Sequence, residues 1–204
     1  MTRGFVDLIR HGEPVGGRRY RGQLDDPLSD LGWTQMWHAV GENRPWQRVI
    51  TSPLVRCRAF AEALAAADGI PLHVEPRFME IGFGIWEGRS RDELQAELGA
   101  DLGRFYAAPI ANRPEGAEPL AEFAGRVMAG WHEWTAGHTS ERLLLVAHAG
   151  VIRAILGGVL DIPHENFYRL NVDNAGLTRI QFCDDRPPVV MFHGGSRGGH
   201  AVED

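Results

Sequence analysis

Five consecutive apolar residues, Leu143 to Ala147 (LLLVA), constrain the fold more than any other stretch. A half-solvated strand alternates apolar and polar side chains, so an unbroken apolar run of strand length belongs inside a sheet covered on both faces. Helices supply that cover, and the chain has them: short apolar runs alternate with longer segments of helical period, the pattern of an α/β three-layer sandwich with a mostly parallel central sheet and helices on both faces. Phe5 to Ile9 and Arg48 to Thr51 read as further strands, with a helix over Leu31 to Glu42 between them. Ser52 and Pro53 predict an N-cap and a first turn, after which Leu54, Cys57, Ala61 and Leu64 recur at helical spacing. Leu120, Phe123, Val127, Trp131 and Trp134 predict a helix over 119–136, with aromatics that read as core rather than as a cofactor face. Tyr168 to Val172, Leu177 to Cys183 and Val189 to Phe192 predict the closing strands. The glycine-rich tail, 194–204, is expected to be disordered, which leaves one domain over 1–193 of the 204 residues.

Composition narrows the partners. A net charge of -6 offers no electrostatic footprint for nucleic acid or an anionic membrane surface. No run approaches the roughly 18 apolar residues of a membrane span, and the apolar stretch before Arg10 is too short for a signal peptide, so a cytoplasmic chain acting on a small molecule is expected. The 2 cysteines, Cys57 and Cys183, are too few for a disulfide framework. They lack zinc-ligand spacing with histidine, so no metal is expected. All 21 basic residues are arginine. Without lysine the chain can be neither a P-loop nucleotidase nor a Schiff-base enzyme. A Cys-x5-Arg phosphatase loop also fails, because Ala63 and Val189 stand five residues after the two cysteines. HENFY lacks the second histidine of a zinc protease helix, and GFGIWEG is not a dinucleotide fingerprint.

Ligands of open α/β sheets bind beyond the carboxyl ends of the strands. The first strand ends on Arg10 and His11, the central one on His148, and Arg56 lies in the first turn of the helix after the second strand. Each has a bland reading alone, as a hydrogen-bonded strand-end histidine or a solvated arginine. Four such residues directed at one crevice point instead to an anion and its chemistry.

Four short motifs carry a resemblance to the histidine phosphatase superfamily, the phosphoglycerate mutase-like family, from about Asp7 to Thr178. They are LIRHGEP (8–14), SPLVR (52–56), EIGFGIWEG (80–88) and AHAGVIR (147–153), in the family's order and spacing. The resemblance implies a phosphoglycerate mutase-like fold and a phosphohistidine intermediate on His11. It also implies phosphate binding by Arg10, Arg56 and His148, and Glu80 as the acid that protonates the leaving alcohol and the base that later activates water. Glu87 is the competing carboxylate and is expected to be structural. The arginines would neutralise the phosphoryl charge, so neither metal nor other cofactor is implied. Pro14 stands where the family has Ser or Thr, and a usual Asn is missing from VGGRRYRGQ. Arg18, Arg19 or Arg21, flanked by Gly22, could complete the phosphate shell, although a solvated charge run is the commoner meaning of such a cluster.

Within the family, the segment 90–118 is too short for the cap of a sugar-acid mutase, which favours hydrolysis under a small lid. The loop GGRRYRGQLDDPLSDLGW, the EGAEPLAEF segment and AHAGVIRAIL resemble the α-ribazole phosphatase branch of cobalamin assembly, with Phe83, Trp86, Phe105 and Tyr106 as a candidate stacking surface. The alternatives are a broad-specificity or sugar-phosphate phosphatase, a phosphoglycerate-type mutase, and a catalytically silent phospho-ligand binder.

Overall fold

A computed structural model describes residues 4–136, 140–183 and 186–195. Six strands form one sheet in the order β3-β2-β4-β1-β5-β6. They are β1 (Gly4–Arg10), β2 (Arg48–Thr51), β3 (Leu72–Val74), β4 (Arg142–Ala147), β5 (Leu177–Cys183) and β6 (Arg186–Gly195). The first four in the chain run parallel, and β5 and β6 close the sheet antiparallel.

The LLLVA run does what its composition requires. Leu143, Leu145 and Ala147 join the core on one face, while Leu144 and Val146 join the core on the other. The second of these cores is roofed by α1 (Asp30–Val40) and α2 (Val55–Asp68), through Met36, Val40, Phe60 and Leu64. The first is roofed by α5 (Leu120–Ala136) and α6 (Ala149–Val159), through Phe123, Val127, Ile152 and Ile155. Leu94 and Phe105 extend it into α3 (Arg91–Leu98) and α4 (Ala100–Ala107), two short helices within the 90–118 segment. Only the first of them is visible in the sequence, as RDELQAEL, where Ser90 and Glu93 form a capping box.

Three local expectations are corrected. Ser52 does not cap α2: the helix starts two residues later than the Ser-Pro pair suggests, with Leu54 at the N-cap, and Asp25 accepts from Val55 N–H at 2.6 Å in place of a cap side chain. Tyr168 to Val172 is not a strand. A 3-10 helix occupies His164–Arg169, and the carbonyls of Leu170 and Val172 accept from Arg153 and Arg10 instead of joining a ladder. The final strand runs on through Gly194 and Gly195, so the ordered chain extends past the expected boundary. The rest of the expected tail lies outside the described residues.

Candidate active site

β1 and β4 lie side by side with Arg10 opposite Ala147. The ladder continues past the strand ends, His11 N–H donating to Ala147 O at 2.9 Å, so adjacent strands deliver His11 and His148 together. Their ring centroids are 5.3 Å apart. Ser52 N–H donates to Val146 O at 3.1 Å, which brings the end of β2, and with it Arg56 of α2, to the same place. Arg10, His11, Arg56 and Glu80 line one cavity of about 840 Å³. The three strand ends therefore lie together, and three of the four expected residues, Arg10, His11 and Arg56, face the cavity.

His11 is held in one protonation state. Its Nδ1 lies 2.7 Å from Gly12 O, and a carbonyl only accepts, so the proton sits on Nδ1 and Nε2 keeps its lone pair. Burial, reinforced by the Arg10 and Arg56 cations, pushes the imidazole pKa well below its ordinary value. A neutral ring at physiological pH follows.

Both arginines are anchored by loop carbonyls. Arg10 Nη1 donates to Val172 O at 2.7 Å, and Arg56 Nη1 and Nη2 donate to Leu24 O and Gly22 O at 2.6 and 2.8 Å. The Nε of each is buried with no hydrogen-bond partner among the described residues. Burial pushes the Arg10 pKa down to about 10, which still leaves it a cation at neutral pH. An unmet donor on each of two cations in the wall that holds His11 is a demand that an anion satisfies.

His148 stands behind His11, fully buried, rather than on the cavity wall. Its Nε2 lies 2.6 Å from Ser52 Oγ, which also accepts from Leu54 N–H at 3.3 Å, so Ser52 ties this imidazole to the residues just ahead of α2. Burial and then Arg56 push its pKa well down as well. Glu80 is half-buried on the wall, its Oε1 accepting from Ile81 N–H at 2.9 Å and its Oε2 from Gly150 N–H at 3.2 Å. Glu87 does something else. Its Oε1 accepts from Gln23 N–H and Phe83 N–H at 3.1 and 3.0 Å, bracing the 13–29 loop against the segment after Glu80. That approach depends on Gly22, where a Cβ would stand 2.0 Å from Glu87 Oε1.

The loop arginines divide. Arg21 is buried and binds Asp26 and the carbonyls of Val15 and Gly17, so it holds the loop's shape. Arg19 Nε donates to Gly16 O at 3.0 Å. The Arg18 side chain makes no hydrogen bond or ion pair with a described residue, lines the cavity, and helps to lower the Arg10 pKa. Of the four expected stacking aromatics, Trp86 and Phe105 are core, while Phe83 and Tyr106 reach the wall. Tyr20, whose hydroxyl bonds that of Tyr106, and Tyr168 complete the aromatic side and were not anticipated. Arg153 was also missed. Its position three residues beyond Gly150, on the same face of α6, was the signal.

Residues 6–193 match the family profile of the histidine phosphatase superfamily, branch 1. The chain belongs to that superfamily. A probable phosphoglycerate mutase, GpmB of Yersinia pestis, is 29 % identical over 187 residues, covering 87 % of this chain and 84 % of the relative. The chain spans about half the length (52 %) of mycobacterial relatives that match 91 % of it at 31 % identity. Among solved structures, a mycobacterial glucosyl-3-phosphoglycerate phosphatase superposes with a TM-score of 0.83 at 24 % identity, covering 95 % of this chain and 100 % of the other. The α-ribazole phosphatase of Shigella flexneri gives 0.79 at 22 %, covering 94 % and 96 %. These two likenesses show the fold of the superfamily. Among the described residues no group of three or more His, Cys, Asp or Glu side chains is placed to hold a metal ion, and no helix is long and apolar enough to cross a membrane.

Proposed function

We propose that this chain hydrolyses phosphate monoesters through a phosphohistidine on His11. The observation that carries the proposal is the bare Nε2 of a neutral, buried imidazole beside two arginines with unmet Nε donors. The lone pair of Nε2 attacks phosphorus as the ester P–O bond breaks, and protonated Glu80 gives its proton to the departing oxygen. Arg10 and Arg56 stabilise the charge on the equatorial oxygens, whereas His148, buried behind His11 with its Nε2 on Ser52 Oγ, has to turn towards the cavity before it can add a further donor. Water then attacks phosphorus, Glu80 takes its proton, the P–N bond breaks, and inorganic phosphate leaves. Arg18, uncommitted in the loop, completes the phosphate shell. The scheme needs no metal, because the arginines supply the positive charge. The whole of 1–193 acts as one domain, with 90–118 as its cap.

Two eight-residue helices make up the helical part of that cap, and so small a cover favours water over a second bound acid as the acceptor. The similarity to a probable phosphoglycerate mutase supports mutase activity as the second reading. For the substrate we propose α-ribazole 5'-phosphate, on the sequence resemblance of the 16–33 loop and on the aromatic wall of Tyr20, Phe83, Tyr106 and Tyr168. A sugar-phosphate substrate competes with it. A cytoplasmic setting fits either metabolite. One experiment tests these choices: initial rates on α-ribazole 5'-phosphate, sugar phosphates and phosphoglycerates, with and without chelator. The expected result is phosphate release that survives chelation and is fastest on α-ribazole 5'-phosphate. Comparable rates across the panel would remove the narrow substrate, phosphoryl transfer to a phosphoglycerate would favour the mutase, and activity restored by a divalent ion would overturn the metal-free scheme.

A further inference from the structure

Glu80 sits against the first turn of α6, where Gly150 is the second helical residue. Gly150 N–H donates to Glu80 Oε2 at 3.2 Å. The other carboxylate oxygen fills the space where a side chain at position 150 would begin: a Cβ built there stands 2.2 Å from Glu80 Oε1, 3.2 Å from its Cδ and 3.3 Å from Ile81 Cγ2. Gly150 has no positive φ, so its backbone does not demand glycine. Glycine is also a poor helix former compared with alanine. Neither the turn nor the helix accounts for the residue. The carboxylate does.

We propose that Gly150 is a positioning residue for the acid-base step, its missing Cβ making the seat in which Glu80 is held by the α6 N-terminus. This rests on the assignment of Glu80 in the proposed mechanism and adds what fixes that carboxylate in place. Two hydrogen bonds hold it, Ile81 N–H on Oε1 and Gly150 N–H on Oε2, and the missing Cβ of Gly150 leaves the room that Oε1 occupies. The two N–H donors fix the direction of the carboxylate oxygens, one of which must accept a proton from water. Proton transfer needs heavy atoms within roughly 2.6–3.2 Å of each other. A displacement of the carboxylate by the width of a methyl group removes that geometry.

What a side chain at this position would disturb is another side chain. At Gly12 a Cβ would strike the carbonyl oxygen of Gly32 at 2.2 Å, so substitution there must move main chain. At Gly150 the atom within 3 Å is the far end of the Glu80 side chain, which can swing away. Gly150→Ala is therefore expected to fold, with a Tm equal to or above the parent, and to evict the carboxylate.

Four proteins test this: the parent, Gly150→Ala, Glu80→Asp and the double variant, each assayed for Tm, for the p-nitrophenyl phosphate burst and for steady-state turnover. In the parent background Gly150→Ala should lower turnover about 10- to 100-fold, less than the roughly 10²- to 10⁴-fold of the full acid-base contribution because the carboxylate is displaced and not removed. A burst should appear, because p-nitrophenolate departs with little help while hydrolysis of the phosphoenzyme is slowed. In the Glu80→Asp background, where the shorter carboxylate has already left the seat, adding Gly150→Ala should cost no more than about twofold, the non-additivity of two residues in contact. An equal loss in both backgrounds, or no loss in either, overturns the inference. So does unfolding of Gly150→Ala that Glu80→Asp does not relieve. A Glu80→Gln protein that turns over normally would instead overturn the assignment of Glu80 itself, and this inference with it.

Discussion

His11 becomes a candidate nucleophile through its neighbours, since a free neutral imidazole carries its one ring proton on either nitrogen and gains a second below its pKa. Gly12 O fixes the proton on Nδ1, and burial with two arginines keeps the ring neutral. The sequence could point to His11, Arg10, Arg56 and Glu80 because each stands at a strand end or inside a short motif. It could not show the tautomer, or that Arg10 and Arg56 are tied to loop carbonyls with a buried Nε unmet on each, since those depend on which distant carbonyls fold into reach. The two nearby carboxylates also separate at this scale. Glu80 stands on the cavity wall while Glu87 braces the loop. With p-nitrophenyl phosphate, Glu80→Gln is expected to form the phosphoenzyme in a burst and then to turn over about 10²–10⁴-fold more slowly, as loss of acid-base assistance dictates. Glu87→Gln should stay near the parent. Stopped-flow traces of the two variants distinguish these outcomes, and a burst confined to Glu87→Gln would exchange the assignments.

Among the elements, the 13–29 loop is where sequence reasoning stopped. Its arginines look equivalent as a charge run, yet one is buried and committed while another is free. Arg21 bridges Asp26 and two loop carbonyls, Asp25 caps α2, and Gly22 O and Leu24 O hold Arg56, so the loop is the frame on which the phosphate-binding arginine rests. No short-range pattern encodes those long-range caps. The Ser-Pro signal misled for the same reason: Ser52 is engaged by His148, 96 residues away. Arg21→Ala is expected to destabilise the fold by about 1–3 kcal/mol, as loss of buried hydrogen bonds from a charged group does, and to raise KM. Arg18→Ala should leave Tm unchanged and weaken phosphate binding alone. Thermal melts paired with phosphate inhibition constants separate the two, and equal Tm losses would show that Arg18 is also structural.

Over the whole molecule the sheet was the most legible feature, because LLLVA admits few environments and β4 takes the one that buries both faces. The same depth gives the fold a pH dependence. His11 and His148 have pKa values held well below the ordinary 6.5, so in acid the unfolded chain binds protons that the folded chain refuses. Stability is full above about pH 6.5 and falls as pH drops below it, by at most about 1.4 kcal/mol per pH unit for each imidazole. Melts between pH 7 and 5 should therefore show a shallower acid slope for His148→Asn than for the parent, and an unchanged slope would mean that this ring is protonated in the fold. The central claim is chemical, and it is tested most directly by mixing enzyme with ³²P-labelled substrate, quenching in alkali and mapping the label. The account predicts stoichiometric acid-labile label on a peptide containing His11 and none in His11→Ala, whereas label that persists in His11→Ala, or hydrolysis by the parent without any trapped phosphoenzyme, would contradict it.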